Sequence, residues 1–242
     1  CLMSAYATAT RIIDAAFQEL GLGASNIALG AADPTTYQAV GLLNSVGNEV
    51  MRSHDWPQLT KQLAIYGDGT TTDFSLPGDF ARQVNQTQWA ASSKLPMLGP
   101  TSPQMWSWLQ YGLTSGSAGV QYQYKISAND KFSVFPAPAA GEVIQLTYIS
   151  GDWVYIQNAG YTNTIESGDN LPMLDSRLMV TGLKLKLWSA KGMDTTILAQ
   201  EYNFILQNER QAVQGAREIS LTGYAGNGLL GYGNVPETGF GL

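Results

Sequence analysis

The clearest alternation of apolar and polar positions lies between Val120 and Val154. Val120, Tyr122, Tyr124 and Ile126 alternate with Gln121, Gln123 and Lys125, which gives an extended chain one apolar and one polar face. Ser127 to Asp130 supplies turn-forming residues, and Phe132 and Val134 resume the alternation, so the spacing predicts a hairpin. Pro136 and Pro138 lack the N–H that a strand ladder needs and end the second strand. After Gly141, Ile144, Leu146 and Tyr148 alternate with Gln145 and Thr147, which predicts a third strand and an antiparallel meander. Upstream, Leu63 and Ile65 lead into Gly67-Asp68-Gly69 and on to Phe74 and Leu76. Gly-Asp-Gly has the backbone freedom of a tight turn and predicts a second hairpin there. Ser102-Pro103 is the signature of a capped short helix, here carrying Met105, Trp106, Trp108 and Leu109.

The two ends of the chain follow a different period. Ile12, Ile13, Ala16, Phe17 and Leu20 recur at helical spacing after Ser4, and Gly21 and Gly23 close that helix. Asp33-Pro34 predicts the start of a second, with Tyr37, Val40, Leu43, Val46, Gly47, Val50 and Met51 on one stripe and a stop before Pro57. A third is predicted to open at Pro172 and run to Lys191, with Leu174, Leu178, Leu185 and Trp188 among its apolar positions and Gly192 as its stop. Asp194 opens a fourth, with Ile197, Leu198, Tyr202, Ile205, Leu206, Val213 and Ile219 on its buried side. Helices at both ends and strands between them give an α+β fold. The expectation is a helical bundle from 1–56 and 171–220, and an inserted antiparallel β-region over 57–156 with one short helix. An exposed loop is expected at 157–170, and a glycine and aromatic tail at 221–242.

Composition narrows the function. The net charge is -6 and only 13% of residues are charged, a poor match to a protein that grips nucleic acid phosphates. No apolar run approaches the ~20 residues that span a bilayer, and the first twenty residues lack a signal-peptide layout, so a soluble protein of cytoplasmic origin is expected. Cys1 is the single cysteine, which rules out an intrachain disulfide and thiolate ligation of zinc. The tail is unusual, because a solvated terminus is ordinarily more charged and less aromatic than one with Glu237 as its single charge. Tyr224, Leu229, Leu230, Tyr232 and Phe240 are therefore candidate contacts of a docking tail that orders on another subunit.

Catalytic chemistry is hard to place. His54 is the single histidine, no Gly-x-Ser-x-Gly accompanies it, and the end of a helix suits it better than a triad. Gly226, Gly228 and Gly231 spell a dinucleotide fingerprint but lie between no strand and helix, and no phosphate-binding loop occurs elsewhere. Asp68, Asp73 and Asp79 each sit beside turn residues, which favours turn formation over paired-carboxylate catalysis. Six tryptophans could line a sugar groove, but Trp106 and Trp108 flank opposite faces of their helix. No catalytic, metal or cofactor site is expected.

The order of these motifs resembles the head-to-tail adaptor proteins of tailed bacteriophages, of the tail tubular protein A type. The residues that carry the resemblance begin with Gly67-Asp68-Gly69 followed by Phe74-Ser75-Leu76-Pro77-Gly78-Asp79-Phe80-Ala81-Arg82, and with Trp89. They continue through Tyr124-Lys125-Ile126, Phe135-Pro136-Ala137-Pro138-Ala139-Ala140-Gly141, and Tyr148-Ile149-Ser150 with Trp153. Leu171-Pro172 and Ala190-Lys191-Gly192-Met193-Asp194 extend it into the flanking helices, while the 157–170 loop and the tail depart from it. The resemblance implies a structural virion protein at the head-tail junction, assembled in the host cytoplasm into a homo-oligomeric, dodecameric ring. That ring would dock on the portal protein, continue the DNA channel and offer a platform to the next tail or nozzle protein, and the tail residues would be its portal anchor. Genomic DNA would pass without specific binding, along a lumen of acidic potential, and no membrane is involved. A stopper or terminator ring of the neck, or a carbohydrate-binding virion protein, is the alternative.

Overall fold

The computed structural model describes residues 6–22, 34–112, 121–127 and 131–213. Four helices come from the two ends of the chain: α1 (Ala9–Glu19), α2 (Pro34–Ser53), α4 (Ser176–Ala190) and α5 (Thr196–Val213), with α3 (Pro103–Tyr111) set in the middle third. The α+β fold read from the pattern is the one observed, with the helices of both ends packed together and the strands between them.

The helical core is a single cluster containing Ile12, Ile13 and Phe17 of α1, Leu43, Val46 and Val50 of α2, and Leu178, Met179, Leu183 and Leu187 of α4. Helix α4 is the central one, packed on α1, α2 and α5. Two glycines permit the close approaches. A Cβ on Gly47 would stand 2.1 Å from the Trp153 ring, and one on Gly182 would stand 2.6 Å from Val46. The helix ends are closed by partners distant in sequence. Helix α1 has no side-chain cap; its first N–H groups, from Ala9 and Thr10, donate to the carbonyls of Asn170 and Gly168 at 2.9 and 3.0 Å. Asp175 caps α4 by accepting from Leu178 N at 2.9 Å, whereas Pro172 sits in a strand, so that helix begins after the proline and not at it.

The strands form three sheets. The largest joins β1 (Thr60–Tyr66), β8 (Val143–Ser150), β3 (Phe80–Gln83), β4 (Trp89–Ala90) and β5 (Leu95–Pro96). Strand β8 is its spine, with β1 along one side and β3 then β4 along the other. A second sheet holds β2 (Asp73–Ser75), β7 (Lys131–Phe135) and β6 (Gln123–Ser127). A small third sheet holds β10 (Gly160–Thr162), β9 (Val154–Ile156) and β11 (Leu171–Pro172). Ile65, Ile144, Leu146 and Tyr148 from the first sheet meet Tyr124, Phe132 and Val134 from the second in a second buried cluster, with Tyr124 stacked on Phe132 at 5.2 Å.

Several pairings differ from the local reading. The hairpin of β6 and β7 forms as expected, but β8 does not continue it; it pairs with β1, Leu63 opposite Leu146. Likewise Gly67-Asp68-Gly69 does not fold β1 onto β2, which pairs instead with β7. The turn directs the chain from one sheet to the other, because each strand's apolar side finds more surface across the sandwich than in its sequence neighbour. Tyr37 and Ile197, expected on buried stripes, are exposed. Within 157–170, expected to be an exposed loop, β10 forms and Ile165 is buried, bonded through its backbone to the side chain of Asn44. The residues of that stretch that reach α1 and α2 are the ones buried. The Ser4, Gly23 and Asp33 helix signals and the Asn129-Asp130 turn lie outside the described residues.

Candidate functional site

The last turn of a helix leaves carbonyls without intrahelical donors, and at α2 those of Val50, Met51 and Ser53 accept from side chains. Trp56 Nε1 donates to Val50 O at 2.7 Å and Ser53 Oγ to the same oxygen at 2.7 Å. The Arg82 guanidinium, carried by β3, donates to Met51 O at 3.3 Å and to His54 O, and pairs with Asp55 at 2.9 Å. Arg210, carried by α5, donates to Ser53 O at 3.2 Å. Two cations thus meet the negative end of the α2 dipole, one from the sheet and one from the bundle. His54 is half-buried there, edge-on to Trp56 at 5.4 Å, and acts through its backbone carbonyl. This is where the helical and sheet halves are fastened.

A polar knot continues the junction along β8. Asp79 accepts from Lys61 Nζ at 2.6 Å, from Ser150 Oγ at 2.8 Å and from Tyr148 Oη at 3.1 Å. Burial pushes its carboxyl up, but the hydrogen bonds from Lys61 and Ser150, the Lys61 charge and the Tyr148 hydrogen bond outweigh it and hold the group below its ordinary value. Tyr148 is pushed up to about 12 by burial and by the Asp79 carboxylate beside it. Asp152 is raised by burial and by the same negative neighbour. A cleft of about 540 Å³ opens here between α2 and the turns 78–82 and 151–152. Of its charged groups, Asp79 is paired with Lys61 and Arg82 with Asp55, and among the described residues no hydroxyl, thiol or imidazole side chain lines it.

Of the other two acidic residues read as turn-formers, Asp68 has that role and Asp73 has a different one. Asp68 accepts from Thr71 Oγ1 and from the N–H of both Thr70 and Thr71, and these bonds hold its carboxyl well below the usual range. Asp73 accepts from Ser133 at 2.5 Å. The structure does not bring Asp68, Asp73 and Asp79 to one place: they serve a turn, the second sheet and the junction respectively. Among the described residues no group of three or more His, Cys, Asp or Glu could hold a metal ion. Among the described residues no helix is long and apolar enough to cross a membrane. Of the six tryptophans, Trp56, Trp106 and Trp153 are buried, Trp89 and Trp188 are half-buried, and Trp108 is the exposed one.

Two apolar stripes face solvent, on different elements and in different halves. On α3, Trp106 and Leu109 are buried while Met105, Trp108 (50% exposed) and Tyr111 (84%) line the outer side at i, i+3 spacing. That helix is anchored by Trp106, edge-on to Phe135 at 6.4 Å and under Lys125 Nζ at 4.6 Å. On α5, Ile197 (79% exposed) and Phe204 (63%) share one side at i, i+7 spacing, and Ile205 is the one fully buried side chain of the helix. The sequence had assigned Ile197 to the buried side and omitted Phe204. The missed signal was a surplus: α5 carries apolar residues on two sides, one more than a single core contact needs. Arg82 and Arg210 left no local signal, because their acceptors are backbone carbonyls of a distant helix. The five candidate tail residues, Tyr224, Leu229, Leu230, Tyr232 and Phe240, lie outside the described residues.

A family described as SU10 adaptor protein matches the chain over residues 7–183. That span takes in α1, α2, α3, every strand of the described residues and the first half of α4, while α5, with Ile205 and Arg210, lies beyond it. No curated protein matches the chain.

Proposed function

The chain belongs to the SU10 adaptor protein family, and on that premise we propose that it is a head-to-tail adaptor of a tailed phage, of the tail tubular protein A type. Copies join into a closed ring, a dodecamer by the resemblance, that docks on the portal protein, continues the DNA channel and receives the next tail or nozzle component. The carrying observation is the pair of exposed apolar stripes, on α3 and on α5. A closed ring is built from heterologous contacts, in which each subunit offers two different surfaces, and a structural subunit with partners above and below needs more than one apolar face. Nothing observed favours the carbohydrate-binding alternative or a stopper or terminator ring.

In this reading residues 221–242 form the portal anchor, with Tyr224, Leu229, Leu230, Tyr232 and Phe240 as its buried contacts. The net charge of -6 suits a lumen that passes DNA without holding it, since like charge repels phosphates inside the ~10 Å range of screening. The test is to mix purified subunit with purified portal rings and image the product by electron microscopy, alongside necks from disrupted particles. One adaptor ring against the portal, lost on deletion of 221–242, is the expected result. A subunit that stays off the portal at high concentration, or that is found away from the neck in intact particles, would overturn the proposal.

A further inference from the structure

Strand β1 forms one edge of the largest sheet, and its outer side is open. Gly67 N–H donates to Glu142 O, while on the other side of β8 Ala91 N–H donates to Val143 O and Val84 N–H to Thr147 O. With the observed register this alternation turns the backbone groups of Leu63 and Ile65 toward β8 and those of Gln62, Ala64 and Tyr66 outward. Among the described residues no strand pairs with that outer side, and Gln62, Ala64 and Tyr66 have exposed side chains. Exposed edges are normally blunted by charge, proline or a bulge, and the run Gln62-Leu63-Ala64-Ile65-Tyr66 has none of these. Leu63, although it faces the sheet core, is half-buried, as expected of an apolar side chain beside an uncovered edge.

The chain itself supplies a matching segment. Helix α5 ends at Val213, with Val213 packed on the helical core and Arg210 bonded to Ser53 O at the end of α2. That end of α2 is joined to β1 by the short connection 54–59, so α5 ends beside the segment that leads into the open edge. Gly215 is the residue type that stops helices. Beyond it, Glu218, Ser220 and Thr222 alternate with Ile219 and Leu221, a period of two in place of the helical period that precedes it. Residues 214–217 reach up to ~17 Å when extended.

We propose that residues 218–222 add to the open edge of β1 within the same subunit, running parallel to it, with Ile219 and Leu221 on the core side next to Leu63 and Ile65. Ser220 then lies on the solvent side, level with Ala64. The main chain supplies the pairing and the short tether its high effective concentration. The proposal stands apart from portal docking: it takes Leu221 and Thr222 from the start of the tail and leaves Tyr224 onward, with all five candidate anchor residues, free to serve a partner.

Residue-resolved hydrogen exchange on the full chain tests it. The amides of Ala64 and Tyr66, which in this register donate to the carbonyls of Ile219 and Leu221, are expected to be protected, and to exchange ~10-fold or more faster in Ile219→Pro, which removes the donor to Gln62 O, and in a chain ended at Val213. The amides of Leu63 and Ile65, already bonded to β8, should change little and report that the sheet is intact. In a Cys1→Ser background, oxidising Ala64→Cys with Ser220→Cys should give a cross-link within one chain. Free exchange of Ala64 and Tyr66 in the full chain, no cross-link, or cross-linked dimers in its place would each overturn the proposal. A portal-binding assay on Ile219→Pro reads the separate role of the tail.

Discussion

The helical core and the sheet core are similar in kind but assembled on opposite principles. In the bundle, residues such as Ile12, Ile13, Ala16 and Phe17 reach the core because they recur along one helix. In the sandwich, Leu63 meets Leu146 and Phe74 meets Phe132, partners far apart in sequence. The two cores meet along one strand: β8 gives Ile144, Leu146 and Tyr148 to the sheet core, and the chain from Ile149 to Val154 carries Ile149, Trp153 and Val154 into the bundle. The difference shows where this molecule is rigidly specified. Periodic helices could pack on many surfaces, and the sheet spine driven into them selects one.

The sharpest way to break this coupling is at Trp153, wholly buried over Gly47. Trp153→Ala should destabilise by about 3–5 kcal/mol in urea unfolding, as a large aromatic lost from a packed core does. Trp153→Phe should cost distinctly less, because Trp153 Nε1 has no hydrogen-bond partner to lose among the described residues. Approaching the same contact from the other side, Gly47→Ala should cost about 1–3 kcal/mol by overpacking. Gly41→Ala on the same helix, with nothing within 4 Å of the added carbon, should stabilise by about 0.5–1 kcal/mol through helix propensity alone.

Arg82→Ala removes a donor shared by Met51 O, His54 O and Asp55, and should cost about 1–3 kcal/mol while separating one unfolding transition into two. Near-ultraviolet dichroism for the tryptophans of each half would resolve the two steps. The Asp79 knot makes the junction sensitive to acid. Its carboxyl is depressed in the fold, so its contribution is present above the ordinary carboxylate range and is lost as pH falls through the lowered value. In Asp79→Asn the corresponding acid-side slope of stability against pH should flatten. Tyr148, pushed up to about 12, has the opposite sign: its contribution holds below the ordinary tyrosine value and fades as pH rises toward 12. The smallest effect on stability belongs to the surface. Ile197→Asp and Trp108→Gln should change folding free energy by about 0.5 kcal/mol or less, yet reduce ring formation on portal seen by electron microscopy.

Each half was legible to a different depth. The strands β6 and β7, the cap Ser102 of α3 and the stop of α4 at Gly192 were readable because period, cap and turn signals act over a few residues. The stripes of exposed residues on α3 and α5 were half-visible: Met105, Trp108 and Ile197 were read as apolar positions of their helices, but periodicity alone assigned Ile197 inward and passed over Phe204. The junction was not legible. Arg82, Arg210, Lys61 and Asp79 bond across elements, and no sequence spacing relates a guanidinium to a carbonyl on another helix.

The sequence by itself determined which segments coil and which extend, that helices gather from both termini, and that the surface carries a net negative charge, since these follow from local period and composition. Tertiary structure alone decided that β8 leaves the hairpin before it to pair with β1, that Pro172 lies in a strand, and that Trp153 lodges over Gly47. Those choices compare whole surfaces for the apolar area they bury, a quantity that no single stretch of the chain contains.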